Sequence, residues 1–541
     1  MNSPFQNKWT TTLALPFIGG LLYASSFPMT FAPSFFFGTI IGMAFLIYSL
    51  SFSNKEMQER SIWMDLLSVI AFSVGYNILG YYWIPETLNE FGQIPFPLNW
   101  TLGLVFSFFI CPHLILFTIF HRYYKKISIK SSSFISVTTN RNIVYAIILT
   151  LFEYFTPQQF PAHIGHNWLQ LAPNLALAPV FGAPLFSFIN FWIALSLVSK
   201  LKFKKSDKMA HFVFCIILLI NIISPLERTQ NKASSTHQIR LVQPNIGNFL
   251  KISSENGMAH AFDEVFDKYF QLSTKPADQK IDLIFWPETA YPRLLNSAQM
   301  STNDRYVPEL IKSIITSTGA ELFTGGYDQS SRKNDNYFQT EYNAAFHFGN
   351  DGKFKNKFRK IKLIPFGEGL PFGPLNKYLA KYIQNISFFA SGESMTLFET
   401  NKGTPFVSAI CYEILFSNFI REHLNNLKGD PEFLVNLTND SWYGKTAEPF
   451  QHLYLSKWRA LEFQLPIIRM TNTGITSVIY ANGDETKRSE QFVEEVQDLQ
   501  LLSSKRYKTP FQKYGIWLTI AFAIALLILV AVMNKFRPLK N

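Results

Sequence analysis

Cysteine is scarce in this chain: Cys111, Cys215 and Cys411 are the only three in 541 residues. So few cannot build a disulfide framework, which excludes a small disulfide scaffold. Charge is scarce too. Only 16% of residues are Asp, Glu, Lys or Arg, against 48% hydrophobic and 16% aromatic, with 54 phenylalanines. A disordered chain has the opposite balance, so disorder is excluded. The sequence also lacks internal repeats, low-complexity tracts, cysteine pairs at zinc spacing and any H-E-x-x-H string. No metal and no cofactor is expected.

What is present is a net charge of +11. Such a balance suits a nucleic acid or a membrane, and its distribution decides between them. Lys and Arg are nearly absent from eight apolar stretches, at 10–27, 33–50, 64–84, 100–120, 142–156, 179–198, 210–225 and 514–534. A membrane-spanning helix needs about 20 mostly apolar residues, and most of these approach that length; 142–156 is the shortest and ends near Pro157. The first is read as a span rather than a signal peptide, because no small-residue cleavage site is clear and a second span follows at once.

The loops alternate in charge. Lys8 precedes the first stretch; Lys55 and Arg60 follow the second; Arg122, Lys125, Lys126, Lys130 and Arg141 follow the fourth. Lys200, Lys202, Lys204, Lys205 and Lys208 follow the sixth, and Lys535, Arg537 and Lys540 close the chain. The loops at 24–32, 85–99 and 157–177 have no Lys or Arg. Basic loops stay cytoplasmic. The expectation is a bundle of about eight spans with both termini cytoplasmic and one long external segment. That segment, 227–513, holds 33 of the 49 basic and 31 of the 38 acidic residues. It is close to neutral, so the basic excess reports orientation in a bilayer, and nucleic-acid binding loses its support. The expected domains are 1–226 with seven transmembrane helices, 227–509 as an external catalytic domain, and 510–541 as a last span with a cytoplasmic tail.

From about residue 238 the periodicity changes. Short apolar runs at 239–242, 283–286, 321–324, 344–348, 405–410, 433–437, 467–470 and 476–480 have the length and composition of strands. Helix-like stretches at 259–272, 306–318, 417–427 and 447–465 lie between several of them. Strands interleaved with helices predict an α/β domain.

Three residues that carry chemistry sit at the ends of apolar runs. Glu288 follows Leu283–Pro287; a carboxylate in apolar surroundings titrates high enough to serve as a base. Lys360 lies before Ile361–Phe366; a lysine near a developing oxyanion stabilises it. Cys411 ends the run 407–410, with Glu413 two residues on. Each signal alone is weak, since a cysteine after an apolar run is usually buried and inert. Together they offer a base, a charge stabiliser and a nucleophile in one α/β domain.

The strings Trp286-Pro287-Glu288-Thr289-Ala290, Leu363-Ile364-Pro365-Phe366-Gly367-Glu368 and Ile410-Cys411-Tyr412-Glu413-Ile414 resemble motifs of the apolipoprotein N-acyltransferases. So do Asn439-Asp440-Ser441-Trp442-Tyr443-Gly444, Arg469 through Thr476, and Leu241 through Ile246. That family consists of bacterial inner-membrane enzymes with a nitrilase-type domain, an αββα sandwich. The resemblance implies a catalytic Glu288–Lys360–Cys411 triad, with Glu368, Tyr412, Glu413 and Asn343 in supporting or substrate-binding roles. It implies a phospholipid acyl donor, a diacylglyceryl apolipoprotein acceptor, a Cys411 thioester and a domain on the periplasmic side. The chain departs from the family pattern at Pro244, where Gly is common, at Ile252, near which Trp is common, and at Phe358, where Tyr is common.

The aromatic and apolar residues Phe366, Leu370, Phe372, Leu375, Tyr378, Phe388 and Phe389 suit either a core or a lid dipping into lipid headgroups. Glu153, at the outer end of the fifth stretch, suits a functional carboxylate or a hydrogen-bonded one. His163 and His166 have no third ligand nearby and are read as lining an interface. A membrane-tethered amidase shares the triad and is the alternative reading. A transporter is disfavoured, because paired Gly- or Pro-broken spans are lacking.

Overall fold

The structure, a computed structural model, describes residues 8–50, 60–90, 92–127, 138–172, 174–223, 235–329, 341–365, 367–370, 375–379 and 389–535. Lys55, Lys130, Phe366, Phe372, Phe388, Arg537 and Lys540, named above, lie outside these residues. The chain forms two units, one of residues 1–226, 446–451 and 509–541, the other of 227–445 and 452–508.

The first unit is helical. Each of the eight apolar stretches contains helix, but the helices differ in reach. Ile62–Gly80, Ala178–Phe203 and Trp517–Asn534 are long and apolar enough to cross a membrane. The fourth stretch is broken: Leu98–Ile110 and Pro112–Tyr123 meet at 47° and together make a possible fourth. Thr10–Ala24, Gly38–Ser49 and Lys208–Ile223 are apolar but shorter. The helix Thr138–Phe155 carries polar residues at its start and is not among the three.

Glycines allow these helices close approach. A methyl group on Gly20 would overlap the Phe72 carbonyl, one on Gly75 the Phe17 carbonyl, and one on Gly42 the Gly19 carbonyl. Small residues at such crossings replace the hydrophobic drive that lipid does not supply. A polar network holds the loop after Thr138–Phe155. Glu153 Oε1 accepts from Ile164 N at 2.7 Å, and Asn190 Nδ2 donates to Ile164 O at 2.7 Å and to Asn167 Oδ1 at 2.9 Å. Asn167 Nδ2 donates to Phe36 O at 2.7 Å. Glu153 therefore acts as a loop anchor here. His163 and His166 stack with ring centroids 5.0 Å apart, and His166 Nδ1 accepts from His163 N at 3.0 Å.

The second unit is a two-sheet structure. Its strands are β1 (Ser235–Gln243), β2 (Leu283–Phe285), β3 (Tyr291–Leu295), β4 (Glu321–Gln329), β5 (Glu341–Phe348), β6 (Phe354–Arg359), β7 (Phe398–Glu399), β8 (Pro405–Ile410), β9 (Phe433–Thr438), β10 (Ile467–Thr471), β11 (Ser477–Ile479) and β12 (Glu495–Ser503). One sheet runs β12-β1-β2-β4-β5-β6 with β3 paired to β4; the other runs β11-β10-β9-β8-β7. In the second sheet β8, β9 and β10 are parallel. Every residue of β9 and β10 is buried, which is why these strands read as unbroken runs and not as alternation. The sheets meet through aromatic rings: Phe323 of β4 lies 5.1 Å from Phe398 of β7 and 5.3 Å from Phe406 of β8.

Helices cover the first sheet. Phe262, Val265, Phe266, Tyr269 and Leu272 recur along one face of Ala259–Ser273, the spacing of an amphipathic helix. That face joins a core with Ile284, Trp286 and the buried isoleucines of Glu309–Thr318. The outer edge is closed by β12, antiparallel to β1, with Arg240 opposite Asp498. The Arg240 guanidinium makes two bonds of 2.7 Å to that carboxylate.

The helix crossings in the first unit give a prediction. Gly20→Val or Gly75→Val forces a branched side chain into a backbone carbonyl, at a cost of about 1–3 kcal/mol or more. Thermal unfolding of the purified protein in detergent should shift down by several degrees for either variant; an unchanged transition would contradict the packing described.

Candidate active site

The site lies where strand ends of the two sheets converge. Glu288 follows β2 in Trp286-Pro287-Glu288. Trp286 fixes the approach: its indole stacks on Tyr269 at 4.4 Å and Nε1 donates to Ser273 Oγ at 2.9 Å. Gly325 of β4 is needed beside it. A methyl there would overlap the Pro287 oxygen and crowd the Glu288 Cα, so the bare backbone of β4 lets Glu288 lie against the sheet.

The surroundings of Glu288 are polar, not apolar as the sequence suggested. Glu288 Oε1 accepts from Asn343 Nδ2 at 2.7 Å and Lys360 Nζ at 3.2 Å; Oε2 accepts from Asn439 N at 2.9 Å. The run Leu283–Pro287 is apolar only along its own strand, and the partners come from distant segments.

Lys360 directly follows β6 and has no exposed surface. Lys360 N donates to Asn343 O at 2.8 Å, which registers the lysine against β5. Its ammonium lies between two carboxylates, 3.2 Å from Glu288 Oε1 and 2.8 Å from Glu368 Oε1. Burial pulls the lysine pKa down, but Glu288 and then Glu368 outweigh it and hold the group above the ordinary lysine range. Glu368 Oε2 also accepts from Ile364 N at 3.0 Å, and Asn343 Nδ2 donates to Glu368 Oε1 at 2.9 Å. The structure thus gathers Glu288, Lys360, Glu368 and Asn343 into one hydrogen-bonded cluster.

Cys411 is the residue after β8. It is buried, and its φ is 49°, a left-handed conformation that a residue with a Cβ rarely adopts. A short 3₁₀ turn, Cys411–Leu415, starts at it. Two groups hold its carbonyl: Asn436 Nδ2 at 3.4 Å and His452 Nε2 at 3.2 Å. Burial pushes the Cys411 thiol well up, the Glu288 charge adds to this, and Lys360 opposes it. The thiol therefore feels both members of the ion pair.

Glu413 clasps the two strand ends together. Its Oε1 accepts from Ile361 N at 2.7 Å and Lys362 N at 2.9 Å, and Oε2 accepts from Ile410 N at 2.8 Å. Burial lifts its pKa to about 7, against the three N–H groups and Lys360, which lower it. Tyr412 is buried with its ring edge-on to Phe416 at 4.8 Å.

Beneath Cys411 lies a layer to which the sequence reading assigned no role. Arg469 Nη2 pairs with Asp440 Oδ2 at 2.7 Å, and Nη1 donates to Asn436 Oδ1 at 3.0 Å. The His452 ring faces Asp440 at 3.6 Å. Asp440 and Arg469 stood in the quoted strings only as pattern. Charged residues within buried strand ends were the available signal; for His452, on the helix Glu448–Phe463, there was none.

The remaining expectations divide. Leu370 is buried, whereas Leu375 and Tyr378 are exposed, and Phe389 stacks on Tyr327 at 5.7 Å. Ile252 is exposed on the helix Asn248–Glu255, beside the buried Lys251, whose ammonium donates to Thr289 Oγ1. Pro244 is buried, and Phe358 is buried beside the His423 ring at 5.4 Å.

Comparisons with known proteins cover both halves of the chain. Residues 238–505 match the carbon-nitrogen hydrolase family, and residues 19–196 match the apolipoprotein N-acyltransferase N-terminal domain. Among curated relatives, the apolipoprotein N-acyltransferase of Bdellovibrio bacteriovorus is 29% identical over 80% of this chain and 78% of its own. That of Haemophilus influenzae is 27% identical over 99% of this chain and 97% of its own. That of Wigglesworthia glossinidia brevipalpis is 30% identical over 65% of this chain and 68% of its own.

The charges around Cys411 give a prediction about its thiol. Alkylation of Cys411 by iodoacetamide, followed by peptide mass spectrometry, should still be accelerating above about pH 10, where a free thiol of pKa about 8.5 has levelled off. Glu288→Gln removes a negative charge and should move the midpoint down; Lys360→Met removes a positive one and should move it up. Shifts in the opposite directions would contradict this electrostatic account.

Proposed function

The chain belongs to the apolipoprotein N-acyltransferase family, and we propose that it performs N-acylation through a thioester on Cys411. The observation that carries the reading is the pairing on one chain of that family's N-terminal domain with a carbon-nitrogen hydrolase domain in which Lys360 is buried between Glu288 and Glu368.

Two steps follow. Glu288 takes the Cys411 proton, and the thiolate attacks the ester carbonyl of a phospholipid acyl chain. Lys360 and a backbone N–H near Tyr412 hold the oxyanion. The ester C–O bond breaks, Glu288 returns its proton to the departing oxygen, and the lysophospholipid leaves with the acyl group held on Cys411 as a thioester. The α-amine of a diacylglyceryl-cysteine apolipoprotein then attacks, and the N-acylated product leaves. The raised thiol pKa fits this sequence, because a base is needed to generate the nucleophile. Glu368 and Asn343 hold the ion pair in place. Glu413 keeps the lysine segment against the cysteine turn.

The architecture suits a bilayer substrate. Extraction of an acyl chain into water costs about 0.8 kcal/mol per CH₂, which a membrane-embedded enzyme avoids. We place the chain in a bacterial inner membrane, with eight spans, cytoplasmic termini and a periplasmic catalytic domain over 227–509. The alternating basic loops support this topology. The exposed Leu375 and Tyr378 are read as part of a lipid-facing rim.

Incubation with phospholipid should add one acyl mass to the Cys411 peptide, labile to hydroxylamine and lost in Cys411→Ala. Addition of a diacylated lipopeptide should discharge it into a triacylated product. Steady release of free fatty acid instead, with no transfer to the amine, would make the protein a hydrolase and sink the reading.

A further inference from the structure

Two carboxamides beside Glu288 each keep one polar group without a partner among the described residues. Asn439 is 1% exposed. Its Oδ1 accepts from Ser441 Oγ at 2.9 Å and from Asn472 Nδ2 at 3.0 Å. Asn472 is itself fixed by the backbone of Ile246, whose N donates to Oδ1 at 2.9 Å and whose O accepts from Nδ2 at 2.9 Å. A backbone pair of this kind settles which end of Asn472 is the amide nitrogen, and hence which end of Asn439 is the oxygen. What is left is Asn439 Nδ2, a buried donor with no acceptor among the described residues.

Asn343 is the mirror case. Its Nδ2 donates to Glu288 Oε1 at 2.7 Å and Glu368 Oε1 at 2.9 Å, and only a nitrogen can do so. Its Oδ1 is left as a buried acceptor without a donor among the described residues. Each unmatched group bears the full cost of its desolvation. Both residues bond Glu288: Asn343 through its side chain, Asn439 through its backbone N–H.

We propose that this pair reads the amino terminus of the acceptor: Asn343 Oδ1 accepts an N–H of the α-amine, and Asn439 Nδ2 donates to the carbonyl oxygen of the same residue. The inference rests on the two-step reading above. An N-terminal residue offers an amine and a carbonyl one carbon apart, whereas water or a simple alkylamine offers no such pair. In the transfer step the amine nitrogen bonds to the thioester carbon and the C–S bond breaks. The proton lost by the amine passes to Glu288 and then to the departing Cys411 sulfur, which restores the thiol.

The test compares two acceptors on the full-length enzyme charged with phospholipid. One is S-diacylglyceryl-cysteine methylamide; the other is S-diacylglyceryl-cysteamine, which lacks the carbonyl. Thioester discharge should favour the carbonyl-bearing acceptor, and Asn439→Ala should reduce the ratio of the two rates by about tenfold or more. The difference in amine basicity is common to wild type and variant, so it cancels in that comparison. Asn439→Ser serves as a second variant if the alanine form does not fold. A ratio retained in the variants overturns the proposal, as does a wild type with no preference for the carbonyl acceptor. Failure of the wild type to form any thioester overturns the two-step reading itself, whereas a thioester without carbonyl preference overturns this subsite alone.

Discussion

A lysine with no exposed surface must have its charge matched inside the protein, and this requirement organises the second unit. The Lys360 ammonium is held by Glu288 and Glu368, which reach it from different segments. Removing the lysine would leave two buried carboxylates with no cation between them, a far larger disturbance than loss of an exposed pair. The cluster therefore specifies how β2, β5, the end of β6 and the segment around Glu368 stand together. Asn343 completes it by bonding both carboxylates through one nitrogen.

The proposed nucleophile depends on a second constraint. Cys411 occupies a left-handed conformation, and such strain persists only where the surroundings over-determine it. Glu413 supplies part of that determination by joining the N–H groups after β6 to the N–H that ends β8. Asn436 and His452 supply the rest at the Cys411 carbonyl. Arg469 and Asp440 hold Asn436 and face His452 in turn. Cys411 thus rests on a layer of buried hydrogen bonds and ion pairs.

The sequence was most informative where chemistry breaks a pattern. Glu288, Lys360 and Cys411 stood out as candidates because each lies at the end of an apolar run and in or beside a family motif, and the first two share one ion pair in the structure. The polar setting of Glu288 was not legible, because Asn343 and Asn439 come from segments 55 and 151 positions away. His452 lies on the helix Glu448–Phe463, whose residues are buried or half-buried throughout, and a histidine there carries no distinguishing signal. In the first unit, apolar runs located helices but not their lengths. The break at Cys111 divides one run into two helices that meet at 47°, and composition does not register a bend.

The pairing of β1 with β12 has a kinetic consequence. Arg240 and Asp498, which face each other across that edge, are 258 positions apart. Contacts between distant positions are slow to form, because the entropy of closing the intervening loop is lost before the contact returns anything. During synthesis β1 is made long before its neighbour at this edge. Its edge stays open, with unpaired backbone groups, until nearly the whole domain has been made. The strand β12 acts as a lock on the sheet.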